Sequence, residues 1–418
     1  MKKAMIITVG TGRTGKDIAH AICVSIKQQN PDNIVFIKTN KTDDTTMPFI
    51  RQDTILEEKQ YEEIEISDPN DVEKIADECQ QAITALSKKG YDLQDMVADY
   101  TSGTKAMSAG LTIAAIKCNV GALVYVAGDR GEGGRVMSGT ERPIALQPNR
   151  IIADSLFQDA IRLFNIYQYD ACLETLMKAR KILADPAFID RMNTLETLSK
   201  AYMSWDKFQI NESFNLLKES KREKLPQEWG IESQIKNNRQ VLYKERENKF
   251  CEERMVDLLE NARRRGEVEK KFDDAIARLY RLCEYIAQFH ISQKNLYREK
   301  DSEVDTSDLD LSNLPANLQE KYRRYRNPKD GKVKLSLHAS YDLLFDLDEL
   351  PGKYFFEDEN KTKKFLGLRN NSILAHGFNP VSEKVYKEMF IFMEDFVKKV
   401  AGNFAYIRDR IKFPLIER

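Results

Sequence analysis

Apolar and polar positions follow two different rhythms along this chain. Up to about residue 150, short apolar runs alternate with longer amphipathic ones. Ala4–Val9, Ile34–Ile37, Asp95–Tyr100 and Ala122–Ala127 read as buried strands, and Tyr61–Ile66 alternates like a half-buried one. Lys16–Gln28, Asp71–Lys88 and Thr104–Lys117 carry the helical period between them, and Gly133–Leu146 reads as a glycine-punctuated hairpin. Such alternation predicts a parallel-rich sheet with helices on both faces. Beyond residue 150 the strand signal stops. Ile151–Ile166, Tyr169–Leu183, Ile189–Trp205, Phe208–Lys221, Phe272–His290 and Val381–Ala401 read as helices. They keep no strict repeat of roughly 34 residues, so tetratricopeptide repeats are not assigned. The mixed charges of Lys244–Lys271 predict a solvated helical face, with the Arg263-Arg-Arg265 cluster as a place for nucleic acid, and the acidic, turn-rich Glu299–Leu318 predicts a loop or insertion. The expected fold class is α/β plus all-α. Its expected domains are a Rossmann-like sheet domain over 1–150, a helical linker over 151–245 and a helical domain over 246–418.

Composition narrows the partners. The net charge of −1 gives no global basic field, so any nucleic-acid site has to be local. No apolar run approaches the ~18 residues of a membrane helix. The basic-then-apolar opening breaks at Gly10 and Arg13, so it reads as a first strand rather than a signal peptide, and a cytoplasmic location without membrane contact is expected. The six cysteines are scattered with no C-x-x-C pair, which predicts reduced thiols, and with only four histidines no metal site is expected.

Two turns of the sheet domain invite a ligand. Gly10-Thr-Gly-Arg-Thr-Gly15 satisfies G-x-G-x-x-G between a strand and a helix. A dinucleotide site would pair it with an acid at the end of the second strand, but the chain has Lys38-Thr39-Asn40 there, with Asp43 further on. A tight turn without ligand and backbone-amide binding of a phosphate-bearing ligand, helped by Arg13, both stay open. The second turn is Asp99-Tyr-Thr-Ser-Gly-Thr-Lys105. Thr101, Ser102 and Thr104 offer hydroxyls, Gly103 allows close backbone approach, and Lys105 opposes the dipole of the helix it starts. An anion would relieve that conflict; the plainer alternative is a Ser/Thr helix cap beside an exposed lysine. The spacing is not that of a Walker loop.

The third stretch is Leu368-Arg-Asn-Asn-Ser-Ile-Leu-Ala-His-Gly377. On a helix Arg369 and His376 project from nearly the same side, two turns apart, and Gly377 with Pro380 makes a stop. The pair suits phosphodiester cleavage, since an imidazole moves protons near neutral pH and a guanidinium holds phosphate oxygens in a planar fork. A solvated pair with a helix cap is the alternative. Arg281 and Glu284 read as a surface pair, Tyr322-Arg-Arg-Tyr-Arg326 mixes cations and aromatics as RNA-contacting segments do, and His290 and His338 read as structural.

Taken in order, the Asp99–Lys105 turn, Trp205-Asp-Lys-Phe208, the Ala277-Arg-Leu-Tyr-Arg-Leu-Cys-Glu284 helix and the Arg-x6-His stretch resemble the CRISPR-associated CARF–HEPN ribonucleases of type III systems. The resemblance spans the whole chain. It implies a homodimer whose CARF domains bind cyclic oligoadenylate through Gly10, Thr11, Gly12, Arg13, Thr39, Asn40, Thr101, Ser102, Gly103, Thr104 and Lys105, with the tetra-adenylate ring favoured over the hexa-adenylate. It also implies a paired HEPN groove in which single-stranded RNA is cut without metal: His376 as base, Arg369 stabilising phosphoryl charge, Asn370 orienting the pair. Degradation of the activator by the CARF domain is a further activity it raises, at Thr11 and Ser102. The rival expectations are a non-catalytic CARF-type sensor that recruits a partner, and a Rossmann cofactor enzyme.

Overall fold

The computed structural model of the chain describes residues 2–12, 14–57, 59–129, 139–183, 185–219, 227–300, 303–357, 362, 367 and 377–417. Chain contacts divide it into two units, Met1–Gln158 with Thr175–Ile189, and Asp159–Glu174 with Asp190–Arg418.

The first unit is built on a six-stranded sheet ordered β3-β2-β1-β4-β5-β6: β1 Ala4–Thr8, β2 Asn33–Lys38, β3 Gln60–Glu65, β4 Met96–Asp99, β5 Ala122–Ala127 and β6 Arg142–Leu146. All neighbours pair parallel except β6, which runs back antiparallel along β5; of the expected Gly133–Leu146 hairpin, residues 133–138 lie outside the described residues. β1 and β2 are buried along their whole length, which is why they are continuous apolar runs rather than alternating ones. Their side chains split between two cores. Ala4, Ile6, Val35 and Ile37 face the helices α4 (Val72–Lys88) and α5 (Lys105–Lys117). Met5, Ile7, Ile34 and Phe36 face α1 (Lys16–Gln29) and the short α3 (Met47–Arg51). Helix α2 (Asn40–Thr45) and α3 were not legible as helices. A capping box between Thr39 and Thr42 starts the first, and Pro48 lies in the first turn of the second.

Four helices follow, α6 (Pro148–Asn165), α7 (Tyr169–Ile182), α8 (Pro186–Asp206) and α9 (Ile210–Glu219), then α10 (Glu232–Glu247), α11 (Glu252–Arg263), α12 (Phe272–Gln293), α13 (Ala316–Arg323), α14 (Leu337–Asp346), α15 (Leu350–Glu357), α16 (Glu383–Val400) and α17 (Phe404–Ile411). Two expectations fail here. Glu299–Leu318 is not a loop throughout: Tyr297–Lys300 (β7) and Glu303–Leu309 (β8) form an antiparallel ribbon. Its acids are paired, Asp305 to Lys332 at 2.5 Å, and that bond holds the Asp305 carboxyl below the usual range. Nor is Lys244–Lys271 a solvated face.

That stretch contains the second unit's polar core. Arg264 is 2% exposed. Its Nε donates to Asp206 at 3.1 Å, its guanidinium lies 3.6 Å from Asp257, and its plane sits 3.9 Å from the centre of the Phe413 ring. Trp205 donates from Nε1 to Asp257 at 2.8 Å, and Asn261 donates to the Asp206 carboxylate at 2.9 Å. Arg265 closes the set onto Asp206, Glu269 and Asp274. Of the three arginines for which nucleic-acid contact is the alternative to a solvated face, these two are spent on the core, and Arg263 is paired with Glu260 at 2.6 Å. A π-helical turn at Arg264–Val268 makes this possible, because the extra residue swings two consecutive arginines toward the same carboxylates. Gly266 is required there, since a Cβ would fall 2.1 Å from the Tyr386 ring.

Burial pushes the Asp257 carboxyl up to about 6, against the opposing pull of Arg264 and the Trp205 bond. Between pH ~4 and ~6 the folded chain therefore keeps a proton that the unfolded chain has released, so stability falls as pH rises through that window and levels off above it. Urea unfolding followed from pH 4 to 7 should show this slope in the parent protein and a shallower one in Asp257→Asn; equal slopes would remove Asp257 as its source.

Candidate functional site

Strand order puts the first site at the crevice where the sheet reverses direction. The chain leaves β1 toward β2 and β3 on one side and returns to β4 and β5 on the other, so the carboxyl ends of β1 and β4 lie side by side with their turns facing out. The turns are fastened together by Ser102, whose hydroxyl donates to the Thr8 carbonyl and accepts from the Gly10 amide at 3.3 Å, while the Thr8 hydroxyl donates to the Ser102 carbonyl. The backbones touch: a Cβ on Gly10 would stand 2.5 Å from the Gly103 nitrogen. Gly103 has φ +105°, in the region open to glycine. Thr46 ties the first turn from the other side by donating to the Gly10 carbonyl at 2.8 Å.

Beneath the second turn Asp99 is buried, accepts from Ser25 and from the Thr101 amide at 2.8 Å, and is raised in pKa by that burial. The hydroxyls that the sequence offered are largely engaged. Thr101 accepts from the Val126 amide at 2.9 Å; Thr104 caps α5 through the Met107 amide at 3.1 Å and donates to the Pro69 carbonyl at 2.7 Å. Thr39 caps α2, with Asn40 exposed beside it. What remains presented outward is Gly12, with Thr11 and Gly103 half-buried beside it, and Lys105, exposed at the start of a helix whose first turn holds no acid. Arg13 lies outside the described residues. Sequence reasoning found the turns but not their fasteners; Thr8, Ser25 and Thr46 carry no signal, because each meets its partner across 36 to 94 residues.

The end of β2 is closed by ion pairs. In place of an acid for a ribose, Lys38 reaches Asp43 at 3.1 Å and Glu63 at 3.6 Å, and Arg51 clasps the same two carboxylates. These bonds to Lys38 and then Arg51 hold Asp43 below the usual carboxylate range, as a committed ion-pair partner.

Arg369, Asn370 and His376 lie outside the described residues. The chain downstream of them is anchored: the Val381 amide donates to the Asp273 carboxylate at 3.2 and 3.3 Å, at the first turn of α12, and Lys270 lies 3.8 Å from Glu383. The other histidines offer no rival centre. His290 is mostly buried and its pKa is lowered by that burial, and His338 meets Asp342 on the surface at 3.2 Å. His20 lies 3.4 Å from Glu141. The six cysteines are free, and burial pushes thiols such as Cys79 up to about 12, far from nucleophilic use. Arg281 and Glu284 pair loosely at 3.4 Å. The Tyr322–Arg326 segment does not present its first tyrosine, since Tyr322 is buried and donates to Asp346. Among the described residues no group of three or more His, Cys, Asp or Glu side chains could hold a metal, and no helix is long and apolar enough to cross a membrane.

Residues 243–399 match the family model described as Csm6 HEPN domain, a span that includes Arg369, Asn370 and His376. This part of the chain is similar to the Csm6 HEPN domain. Across its whole length the chain also shares the fold of a solved structure described as Enterococcus italicus Csm6 bound to cyclic hexa-2′-fluoro-hexa-dAMP, with TM-score 0.63, 17% identity and 98% of each chain covered. No match was found among curated proteins. The architecture is thus a Rossmann-like, parallel-rich sheet domain followed by helices whose 243–399 span matches the HEPN model. Within that span, Asp257, Arg264 and Arg265 are structural, and the Trp205–Phe208 stretch that marked the resemblance contributes Trp205 and Asp206 to the same buried cluster.

Ser102→Ala should cost the sheet unit about 1–3 kcal/mol by stranding the Gly10 amide and the Thr8 carbonyl. Denaturant unfolding monitored on that unit would register this; an unchanged midpoint would mean that the two turns hold together without the hydroxyl.

Proposed function

We propose that the protein is an endoribonuclease of the CARF–HEPN type, switched on by a cyclic oligoadenylate and acting on single-stranded RNA in type III CRISPR defence. The observation that carries this reading is the joining, in one chain, of two backbone-rich turns at the crevice of a parallel sheet to a HEPN domain with Arg369 and His376 inside its matched residues. The crevice suits a ligand with several phosphates: amides and glycines allow close approach, and Lys105 adds charge at a helix start. The ring in the fold neighbour supports that class of activator for this chain.

In this reading two copies pair, and a ring of even subunit number lies on their twofold axis. Phe378, 88% exposed and two residues past His376, supports a covering surface from a second copy. At the HEPN groove His376 helps the ribose 2′-hydroxyl attack the adjacent phosphate, Arg369 stabilises the charge gathering on the phosphoryl oxygens, and Asn370 orients the two. The 5′-oxygen leaves with a proton, so the products are a 2′,3′-cyclic phosphate and a 5′-hydroxyl. The chemistry asks nothing of a metal. Ring binding favours the dimer geometry in which the groove is competent, a population shift rather than a direct contact. The resemblance favours the tetra-adenylate ring and the fold neighbour holds a six-membered one, so both belong in the test.

The test is a fluorescent single-stranded RNA with EDTA present, incubated with cyclic tetra-adenylate, cyclic hexa-adenylate or neither. Cleavage is expected with one ring only, and Arg369→Ala and His376→Ala should each lower it by about 10²-fold or more. Full cleavage by both variants would remove the HEPN assignment. Loss of cleavage on adding EDTA would point to a metal nuclease. Ring binding with no cleavage by the parent protein would leave the sensor reading.

A further inference from the structure

The second unit carries a basic groove that the HEPN chemistry above does not use. A cavity of about 430 Å³ is floored by Phe250, Leu258 and Tyr285 and rimmed by Lys249, Arg254, Arg278 and Arg281. An adjoining hollow of about 450 Å³ shares Lys249 and Arg254 and adds Arg246. Together they bring five cations to one surface. The acids in the lining are Glu212 and Glu245. Glu245 is fully buried, and burial raises its pKa strongly toward the neutral form.

The acids that face the rim from outside hold it weakly. Arg278 stands 3.5 Å from Asp274, Arg281 3.4 Å from Glu284, Arg246 3.7 Å from Glu247 and Lys249 4.0 Å from Glu303. Pairs of this length on a solvated surface contribute about 0–1 kcal/mol each, so a phosphate can replace them. The Arg278 Nε is buried with no hydrogen-bond acceptor among the described residues. Arg254 is different: its guanidinium donates to the Glu245 and Lys249 carbonyls and, at 3.4 Å, to the buried Glu245 carboxyl group, and it holds the groove's wall in shape.

Placement gives the groove a direction. Asp274, Arg278, Arg281, Tyr285 and Gln288 recur every three or four residues, so they form one polar stripe along α12. The first turn of that helix is where Asp273 pins Val381, five residues beyond His376. From Asp273 to Arg281 the rise is about 12 Å along the helix. We propose that this groove is a track for single-stranded RNA, with Arg246, Lys249, Arg278 and Arg281 holding successive phosphates of the strand that the HEPN-matched part of the chain cuts. The proposal rests on the RNase reading. A small phosphate ester would not need cations drawn from α10, α12 and the α10–α11 connection around two joined hollows, whereas a strand with phosphates at successive positions would.

The test measures binding rather than cleavage, so the two readings can fail separately. A fluorescein-labelled, unstructured 20-nucleotide RNA is titrated by anisotropy across a salt series, with full-length His376→Ala as the parent so that the strand stays intact. The triple variant Arg246→Glu, Lys249→Glu, Arg281→Glu alters exposed side chains only, and Arg246→Lys with Arg281→Lys keeps the charge. The reversal should weaken RNA binding about tenfold or more and reduce the salt slope by about 2, while the lysine variant stays within a fewfold of the parent. Affinity for cyclic oligoadenylate should not move. Unchanged affinity and slope in the reversal variant would overturn the track. So would an equal loss of binding for uridine monophosphate and for the 20-mer, because the site would then read a single phosphate. Groove-dependent RNA binding by a protein that never cleaves would keep the track and remove the nuclease.

Discussion

A guanidinium without water has to be satisfied by the protein, and Arg264 sets that demand on the second unit. Its partners come from α8, α11 and the C-terminal segment, so these elements are held in one register by one charged group. Removing one partner of such a set strands the others in a dry environment, at about 3–5 kcal/mol, whereas the intact set gains little net stability. Its value is therefore specificity of arrangement. The π-turn, Gly266 and the ring of Phe413 packed among Tyr167, Tyr202 and Trp205 all follow from the need to seat that group. The start of α12 inherits its position from the same cluster, because Arg265 reaches Asp274 at 3.2 Å, and Asp273 beside it holds the chain that follows the Arg-x6-His stretch.

The sheet unit depends on a different constraint, the close approach of two backbones. With Gly10 against Gly103 and Ser102 hydrogen-bonded across the seam, the carboxyl ends of β1 and β4 are locked together, and the Gly10 and Thr101 amides are spent on holding the turns. The Thr101 and Thr104 hydroxyls are bonded internally as well, to the Val126 amide and the Pro69 carbonyl, so the turns are held rigidly. Lys38, Asp43, Glu63 and Arg51 close the neighbouring strand end with ion pairs, so the crevice is not extended toward a ribose-binding acid.

Much of this was legible in the sequence because local patterns dictated it. Continuous apolar runs such as Met5–Ile7 fixed the buried strands, periodic stripes such as Ile276, Leu279, Cys283 and Ile286 fixed α12, and the two glycine-bearing turns pointed to the crevice. What stayed hidden was long-range. Asp257, Glu260 and Arg264 look like a solvated charge mixture in sequence, yet they are buried, because groups partnered across 50 to 150 residues leave no local trace. The β7–β8 ribbon was missed for a related reason, since its acids are neutralised by Lys332 and Arg298 rather than by water alone. Arg369 and His376 were singled out by spacing and chemistry, and it is the match to the Csm6 HEPN domain over 243–399 that sets them in a family context.

The central claim is that a ring bound at the crevice governs RNA cleavage elsewhere in the chain. The direct measurement is a dose–response of cleavage against activator for the parent and for Gly10→Ala, whose added Cβ would press on the Gly103 nitrogen from 2.5 Å. The account predicts that the activation midpoint rises by about tenfold or more, in step with the ring's dissociation constant, while the rate at saturating ring is retained. An unchanged midpoint, or equal cleavage with no ring at all, would contradict it.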